Sequence, residues 1–522
     1  MHDTPSDTTP ITDPPPPRRG RWRRIAPDRP RAVLVAATFG IVSAFGQAPF
    51  DLWPVALIAL AGFAWVFDRA TSTKQATWIG WAAGTGYFAG ALHWIVEPFL
   101  VDVARHGWMA PFAVVFLAGG LALFWGLALG VAHRMAPTGP MRLTMFVAAL
   151  SGAEILRGLV MTGFPWASVG HVLIDSAFIH IAAWGGPNAL TVLTLAFAAA
   201  LSCVPARPMR AGVPLAVVGA GLIVTAPAFA TRVPPTPADA PVLRLMQPNA
   251  SQHEKWDPRL IPMFLDRMLA FSAQQPTADV VIWPETSVPS ILDRADTLLN
   301  IIAQQAGGAI SVVGIERRDD NGYYNSLVVV GPDGTAGDVY DKHHLVPFGE
   351  YLPLGALLSR LGLAPMVNRF GGFTAGSGPE LVNLGDAGRA LPLICYEAVF
   401  ARDVAAAPER PDLLLQITND AWFGTFSGPF QHLAQARLRA VEQGLPMVRV
   451  ANTGVSAVIA ADGEILGSIP LGQAGYLDLP KPPAAAQTLY ARSGDWPIWL
   501  LVIAMFVVAL VHGRFQLRMS GH

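Results

Sequence analysis

Eight long apolar runs dominate the sequence and constrain its fold more than any other feature. Most of them approach the roughly 20 residues that a helix needs to cross a bilayer. Hydrophobic residues make up 52% of the 522-residue chain and charged residues 14%, which is too apolar for an ordinary soluble protein. The sequence therefore predicts an α-helical membrane bundle of eight spans. Their approximate ranges are 32–49, 53–68, 77–96, 110–132, 143–161, 178–203, 212–230 and 496–513.

Basic residues in the short loops indicate the orientation of these spans. Lysine and arginine accumulate on the cytoplasmic side of membrane proteins. With eight spans, all the basic loops fall on one side, and the opposite short loops contain only Arg105. We therefore expect both termini to be cytoplasmic and residues 233–490 to face outward, into the periplasm of a bacterium. The basic loop residues are Arg18 to Arg31, Arg69 and Lys74, Arg134 and Arg142, Arg207 and Arg210, and Arg514 and Arg518.

The chain divides into four segments by composition. Residues 1–29 combine Pro14–Pro17 with several arginines, and such a segment cannot bury enough apolar surface to fold. We expect this tail to be disordered. A seven-span domain follows over residues 30–232, a domain of soluble composition over 233–490, and the eighth span with a short tail over 491–522. The net charge of −1 gives no reason to expect a nucleic-acid partner.

The soluble segment alternates strand and helix patterns, which predicts an α/β fold. Two stacked sheets with helices on their outer faces are consistent with this order, although periodicity alone does not establish the stacking. The predicted strands are 241–247, 279–283, 310–315, 326–330, 337–341, 390–395, 413–418, 447–451, 455–460 and 464–469. The predicted helices are 258–274, 291–306 and 428–443.

Cys395 ends an apolar strand and is one of only two cysteines in the chain. Reacting groups in α/β folds lie at the carboxyl ends of strands, so this thiol is a candidate nucleophile. The alternative is a buried structural thiol, which is the commoner role of a free cysteine. Cys203 lies near the cytoplasmic end of its predicted span, so a disulfide between the two is geometrically excluded.

Two more strand ends carry groups that would complete the chemistry of a thiol nucleophile. Glu285 follows Val281–Trp283, and Lys342 follows the predicted strand 337–341. A partly desolvated Glu285 would accept the thiol proton as general base. Lys342 would favour the thiolate of Cys395 and stabilise the oxyanion of a tetrahedral intermediate. The three residues are expected to meet at one edge of the sheet.

Other polar residues allow two interpretations. Glu154 and Arg157 share a helix face within the fifth apolar run, either as a polar anchor beneath a substrate cleft or as a helix-packing pair. The aromatics of the loop Thr162–Trp166 fit a lipid entrance or an interfacial belt. His343 and His344 have no nearby residues at spacing typical of a zinc site, so no metal and no cofactor are expected.

The motifs Trp283-Pro284-Glu285, the run Tyr340–Tyr351 and Cys395-Tyr396-Glu397 resemble the Glu–Lys–Cys signatures of the nitrilase, or carbon–nitrogen hydrolase, superfamily. Placed between the seventh and eighth spans, such a domain resembles the apolipoprotein N-acyltransferase family over residues 30–515. The resemblance implies a nitrilase-like αββα sandwich with Glu285, Lys342 and Cys395 as catalytic residues. No departure from the pattern occurs at these three positions.

The resemblance also implies substrates and partners. An acyl chain would pass from a phospholipid, usually phosphatidylethanolamine, to the cysteine as a thioester. It would then pass to the α-amino group of the S-diacylglyceryl cysteine of an apolipoprotein, in a bacterial inner membrane. The protein is expected to act as a monomer. By resemblance, Glu350 and Glu397 would support the site. Tyr396 would lie beside the nucleophile and Trp256 near the acyl-chain entrance. Trp422 and Phe423 would belong to a loop over the cleft.

Two alternatives remain open from sequence. A membrane-tethered amidase or nitrilase would share the first half-reaction but pass its acyl group to water. A non-catalytic lipid or lipoprotein carrier would form no covalent adduct on Cys395. Each secondary residue also has a structural interpretation: Glu350 as a surface acid, Glu397 as a helix cap, and Trp256, Trp422 and Phe423 as packing residues.

Overall fold

The computed structural model of the protein describes residues 29–136, 141–204, 230–353 and 372–519. Two predictions fall outside these residues: the disordered tail before residue 29 and, apart from residue 230 itself, the seventh span over 212–230. The described residues form a helical region and an α/β domain.

The first six predicted spans each overlap a helix, although the boundaries shift by several residues. The long helices are α1 Arg29–Ala44, α2 Trp53–Asp68, α3 Thr73–Ala91, α4 Ala110–Met135, α5 Met141–Arg157 and α6 Ala182–Ser202. Short helical turns lie at His93–Val96, Glu97–Leu100, Val103–His106, Gly107–Met109, Val169–Leu173 and Ala177–Ile181.

Small residues allow α1, α3 and α4 to approach one another closely. A Cβ atom added to Gly86 of α3 would lie 2.3 Å from the backbone oxygen of Ala37 in α1. One added to Gly80 would lie 2.5 Å from the backbone oxygen of Trp125 in α4. Close packing through small residues is common between helices in membranes.

Only part of the helical region has the length and apolarity of a membrane span. Among the described residues, Val103–Met135, with 33 residues, and Ala177–Ser202, with 26, are long and apolar enough to cross a membrane, by length and composition only. The stretches Pro30–Ala44, Trp53–Asp68 and Trp496–His512 are apolar but shorter. The eight-span arrangement therefore stays a prediction.

The α/β domain contains two six-stranded sheets. Its strands are β1 Val242–Gln247, β2 Val280–Ile282, β3 Ile310–Asp319, β4 Gly322–Val330, β5 Ala336–Asp341, β6 Val382–Asn383, β7 Arg389–Ile394, β8 Leu413–Thr418, β9 Met447–Ala451, β10 Ser456–Ile459, β11 Ile465–Ile469 and β12 Gly475–Pro480. The order is β12-β1-β2-β3-β4-β5 in one sheet and β11-β10-β9-β8-β7-β6 in the other. Strands β1 to β3 run parallel, as do β7 to β9, so their carboxyl ends meet at one edge of each sheet.

The two sheets pack face to face and helices cover their outer faces. Ile282 of the first sheet and Leu415 of the second belong to one buried apolar core. Helices α7 (Ile261–Ser272) and α8 (Asp296–Gln305) pack on the first sheet, and α9 (Gly428–Gln443) packs on the second. The predicted αββα sandwich is confirmed by these four layers.

After the sandwich, α10 (Trp496–Met519) returns to the helical region. A Cβ added to Gly152 of α5 would lie 3.8 Å from the Val502 side chain of α10. The second sheet also contacts the helical region, because Tyr396 and Phe400 share a buried cluster with aromatic residues of the helices. These contacts place the carboxyl end of β7 against the helical region.

Strands β6 and β12 were not predicted from sequence. The first has only two residues, and the second is an edge strand with glycine and proline at its ends. The remaining predicted strands and helices are present with small boundary differences. Cys395 lies one residue beyond β7, as the first residue of the helical turn Cys395–Val399.

Candidate active site

Glu285, Lys342 and Cys395 follow the ends of β2, β5 and β7 and lie together between the two sheets. The Nζ atom of Lys342 lies 3.7 Å from Oε1 of Glu285, and both charges act on the thiol of Cys395. The three residues are 6%, 1% and 6% exposed, respectively. The packing of one sheet on the other therefore brings together groups that are up to 110 positions apart.

Burial and charge set the protonation of the nucleophile and the lysine. Burial raises the pKa of the Cys395 thiol well above its ordinary value, the Glu285 carboxylate raises it further, and Lys342 opposes this. Burial alone would lower the pKa of Lys342, but Glu350 and Glu285 hold it above its usual range. These shifts favour a neutral thiol and a charged ammonium in the resting site. The charge of Lys342 favours the thiolate but does not outweigh burial and Glu285, so removal of the thiol proton needs a base.

The carboxylate of Glu285 is held by one donor on each oxygen. Asn325 Nδ2 donates to Oε1 at 2.7 Å, and the backbone N–H of Asn419 donates to Oε2 at 2.7 Å. Lys255 donates to the backbone oxygen of Glu285 at 3.0 Å and to Thr286 Oγ1 at 2.7 Å. Burial lowers the pKa of Lys255 to about 8.

Glu350 contacts the lysine directly. Lys342 Nζ donates to Glu350 Oε1 at 2.8 Å, and the backbone N–H of Val346 donates to Oε2 at 2.7 Å. Asn325 Nδ2 also lies 3.5 Å from Glu350 Oε1. Glu350 is therefore a partner of the buried lysine, and the surface-acid interpretation does not describe it.

Glu397 is fully buried and joins the two sheets at the site. Its Oε1 accepts hydrogen bonds from Tyr340 OH at 2.9 Å and from the backbone N–H groups of His343 and His344 at 2.8 and 3.1 Å. Its Oε2 accepts from the N–H of Ile394 at 2.7 Å. The hydrogen bond from Ile394 caps the turn after β7. The hydrogen bonds from Tyr340, His343 and His344 hold the chain beside Lys342.

The four remaining predicted site residues differ in their surroundings. Tyr396 is buried beside Phe400, with ring centroids 4.9 Å apart. Trp422 is 40% exposed and Trp256 is 44% exposed. Phe423, by contrast, packs against Trp94 of the helical region at 5.0 Å. Phe423 therefore contacts the helical region, whereas Trp256 and Trp422 are accessible.

A largely apolar pocket opens beside Glu285. It lies between the start of α7 and the residues that follow β1 and β2. The side chain of Lys255 also lines it. The pocket lining includes Trp256, Ile261, Phe264, Leu265, Met268 and Pro289.

His343 and His344 share one carboxylate, Asp403, which sequence analysis did not identify. Their potential ligand atoms lie within 4.8 Å of one another, the only such group of histidine, cysteine or acidic side chains in the described part of the chain. His344 Nδ1 lies 2.7 Å from Asp403 Oδ2. Burial alone would raise the pKa of Asp403, but the His344 contact and the His343 ring, whose Nε2 lies 3.6 Å from Oδ2, lower it.

Glu154 and Arg157 form a buried ion pair at 2.8 Å. Glu154 accepts hydrogen bonds from Trp125 Nε1 at 2.8 Å and from the N–H of Val169 at 3.2 Å. Arg157 donates to the backbone oxygen of Trp166 at 2.9 Å, and also to that of Phe164. The pair therefore anchors the loop that follows α5.

Two family models match the chain. The apolipoprotein N-acyltransferase N-terminal domain matches residues 39–200, and carbon-nitrogen hydrolase matches residues 238–479. An apolipoprotein N-acyltransferase from Bradyrhizobium diazoefficiens is 38% identical, over 94% of this chain and 96% of the relative. The chain belongs to the apolipoprotein N-acyltransferase family.

Further apolipoprotein N-acyltransferases are similar over the same extent. Those from Rhodopseudomonas palustris and Caulobacter vibrioides are 35% and 36% identical, with 93% and 94% of this chain and 96% of each relative covered. Among solved structures, an amidase from Nesterenkonia sp. is 20% identical, with a TM-score of 0.37 over 51% of this chain and 97% of that chain.

Sequence analysis did not identify several buried polar residues that contact the candidate catalytic residues. Asn325 and Asn419 contact Glu285, while Gln416 contacts the backbone of Cys395. Gln416 and Arg449 interrupt otherwise apolar strands, β8 and β9. A polar residue in the middle of a buried strand needs a hydrogen-bond partner. This pattern could have marked Gln416 and Arg449 as members of a buried polar network.

Proposed function

We propose that this chain moves an acyl chain from a membrane phospholipid to Cys395 and then to the N-terminal amine of a diacylated apolipoprotein. N-acylation of apolipoproteins is the reaction of the family. The observation that carries the residue assignment is the convergence of Glu285, Lys342 and Cys395 in one buried site. The proposed donor is phosphatidylethanolamine.

The first half-reaction forms a thioester. Glu285 accepts the thiol proton as the sulfur of Cys395 attacks the ester carbonyl of the phospholipid. The ammonium of Lys342 stabilises the oxyanion of the tetrahedral intermediate. Collapse breaks the ester bond, and the leaving alkoxide takes the proton from Glu285 and departs as lysophospholipid.

The second half-reaction returns the enzyme to its starting state. The neutral α-amine of the diacylated cysteine attacks the thioester carbonyl, and Lys342 again faces the developing oxyanion. Glu285 accepts a proton from the amine, and the C–S bond breaks as the amide forms. The proton then returns to the sulfur of Cys395, which completes a ping-pong cycle.

The environment of each group supports these roles. Because the pKa of Cys395 is raised, the thiol requires a base, and Glu285 is the carboxylate whose charge acts most strongly on it. Glu350 holds Lys342, and Glu397 fixes the turn that carries Cys395 and Tyr396. The apolar pocket beside Glu285, with Trp256 at its edge, would receive the acyl chain, and Trp422 would lie over the cleft.

We also propose that eight spans hold this site at the outer leaflet of a bacterial inner membrane. Helix α4 supports the idea, because it exposes large apolar side chains at Phe112, Val115, Phe116, Leu123 and Leu127. Exposing an acyl chain to water costs about 0.8 kcal/mol per CH₂, so a site against the membrane avoids most of that cost. The sandwich, residues 233–490, would be periplasmic and both termini cytoplasmic.

A reconstituted assay tests the proposed function. The purified chain is incubated with phosphatidylethanolamine vesicles and a synthetic diacylated lipopeptide. Transfer predicts a triacylated peptide and one lysophospholipid per acyl group, with no product from the Cys395→Ala variant. Free fatty acid without triacylated peptide would identify a hydrolase. Absence of any acyl adduct on Cys395 would indicate a carrier.

A further inference from the structure

A closed network of buried hydrogen bonds lies beneath the backbone of Cys395. The Cys395 carbonyl accepts a hydrogen bond from Gln416 Nε2 at 3.1 Å and lies 3.0 Å from His432 Nε2. Arg449 donates to Gln416 Oε1 at 2.6 Å, which turns the amide nitrogen of Gln416 toward Cys395. His432 Nδ1 lies 2.9 Å from Asp420 Oδ1, and Asp420 accepts from Arg449 through its other oxygen.

The conformation of Cys395 explains why such support is needed. Its φ is +53°, in the left-handed region, which costs a residue with a Cβ atom on the order of 1 to 2 kcal/mol. Such a conformation persists only where the surroundings determine it. The partners at its carbonyl are fully buried, so water does not compete for them.

The residue before His432 makes an equally complete set of contacts with the helical region. Gln431 Oε1 accepts from the indole N–H groups of Trp94 and Trp166 at 3.1 and 2.8 Å. Its Nε2 donates to the backbone oxygens of Ala91 and Ala48 at 2.9 and 3.3 Å. All four hydrogen-bonding positions of this 4% exposed amide are therefore used.

We propose that Gln431 and His432 are positioning residues that set the backbone of Cys395 relative to the helical region. They are adjacent on α9, so one rigid element joins the helical contacts of Gln431 to the network under the nucleophile. The His432 ring also packs on Trp166, with centroids 5.4 Å apart. A phospholipid ester presented by the helical region would then meet the sulfur at a fixed position. This inference rests on the proposed function, because it takes Cys395 as the nucleophile.

Substitutions at Gln431 and His432 test the proposal, and a near-isosteric one is available at each position. Gln431→Glu places a carboxylate oxygen against the carbonyls of Ala48 and Ala91, where a donor is required. His432→Ala removes the ring, whereas His432→Gln keeps an amide near the position of Nε2. Gln443→Glu is the matched control, since Gln443 lies on the same helix and its amide nitrogen has no partner within the described residues.

The experiment measures the rate of acyl-enzyme formation on Cys395. The full chain is placed in phosphatidylethanolamine vesicles, and intact-mass spectrometry detects the adduct over time. We expect Gln431→Glu and His432→Ala to lower the maximal rate about tenfold or more, equivalent to about 1.4 kcal/mol. The phospholipid concentration for half-maximal rate should stay within about twofold. His432→Gln should recover most of the rate, and Gln443→Glu should match the unaltered protein.

Unchanged maximal rates in folded Gln431→Glu and His432→Ala variants would overturn the proposal, as would a His432→Gln variant that is as slow as His432→Ala. If Gln431→Glu does not fold, Trp166→Phe provides the same test by removing one indole donor. A missing adduct in the unaltered protein would instead overturn the proposed function, and the positioning roles with it.

Discussion

The ammonium of Lys342 donates a 2.8 Å hydrogen bond to the carboxylate of Glu350. The corresponding distance to Glu285 is 3.7 Å, so Glu350 is the nearer partner of the lysine. Glu285 keeps its own donors, Asn325 and Asn419. This geometry fits the roles proposed for the two acids, in which Glu350 holds the cation and Glu285 accepts a proton.

Glu350→Gln should slow thioester formation about 10- to 100-fold, because a hydrogen bond to a charged group contributes about 1.5–3 kcal/mol. Without the Glu350 charge, the pKa of Lys342 should fall toward its usual range. Single-turnover rates with phosphatidylethanolamine vesicles measure the effect. The control is Glu464→Gln, an exposed acid between β10 and β11, and equal rates in the two variants would contradict the assigned role.

Glu285→Gln should abolish transfer and yet make Cys395 easier to alkylate. The Glu285 charge contributes to the raised pKa of Cys395, so removing it should lower that pKa and produce thiolate at lower pH. Iodoacetamide labelling across a pH series, in a Cys203→Ser background, measures the midpoint. A midpoint that is unchanged or moves to higher pH would show that the Glu285 charge does not raise the pKa of the thiol.

Cys395→Ala should eliminate both the acyl adduct and transfer without unfolding the protein. Alanine occupies less volume in the same left-handed position and leaves no polar group unpaired. We expect the free energy of unfolding to change by about 1 kcal/mol or less, which thermal unfolding would show. Full activity in this variant would end the proposed mechanism.

Glu397→Gln should destabilise the α/β domain by about 1–3 kcal/mol, because its carboxylate accepts from Tyr340 OH and three backbone N–H groups and also lies 2.7 Å from the His343 ring. An amide group in its place would turn its own N–H groups toward one or more of them. Thermal unfolding compared with Glu380→Gln, an exposed acid, measures the difference. Equal midpoints for the two variants would mean that the buried contacts contribute little.

Stability should fall as the pH rises through the pKa of His343. Burial alone would lower this pKa, but the nearby carboxylates of Asp403 and Glu397 raise it from 6.5 to about 9. The contribution of the charged ring is therefore complete below pH 6.5 and is lost as the pH passes 9. We expect a loss on the order of 2 kcal/mol, and His343→Gln should remove this pH dependence. A stability profile that is the same in both proteins would contradict the ion pair.

Much of the site was predictable from the local pattern of apolar and polar residues. The strands before Glu285, Lys342 and Cys395 are readable from sequence, and the carboxyl ends of strands are where α/β folds place reacting groups. The positions of α9, β8 and β9 were likewise predicted to the residue. The short β6 and the edge strand β12 were missed, because their patterns are too brief or too irregular.

The amino-acid sequence by itself determined most of the helices and strands, and which three residues follow the decisive strands, because those properties follow from the pattern of nearby side chains. Only the tertiary structure decided that Glu350 is the partner of Lys342, and that Gln431 and His432 join the helical region to Cys395. The physical reason is that buried polar atoms must find partners wherever packing brings them. In this chain those partners lie up to 383 positions apart, from Gln431 to Ala48.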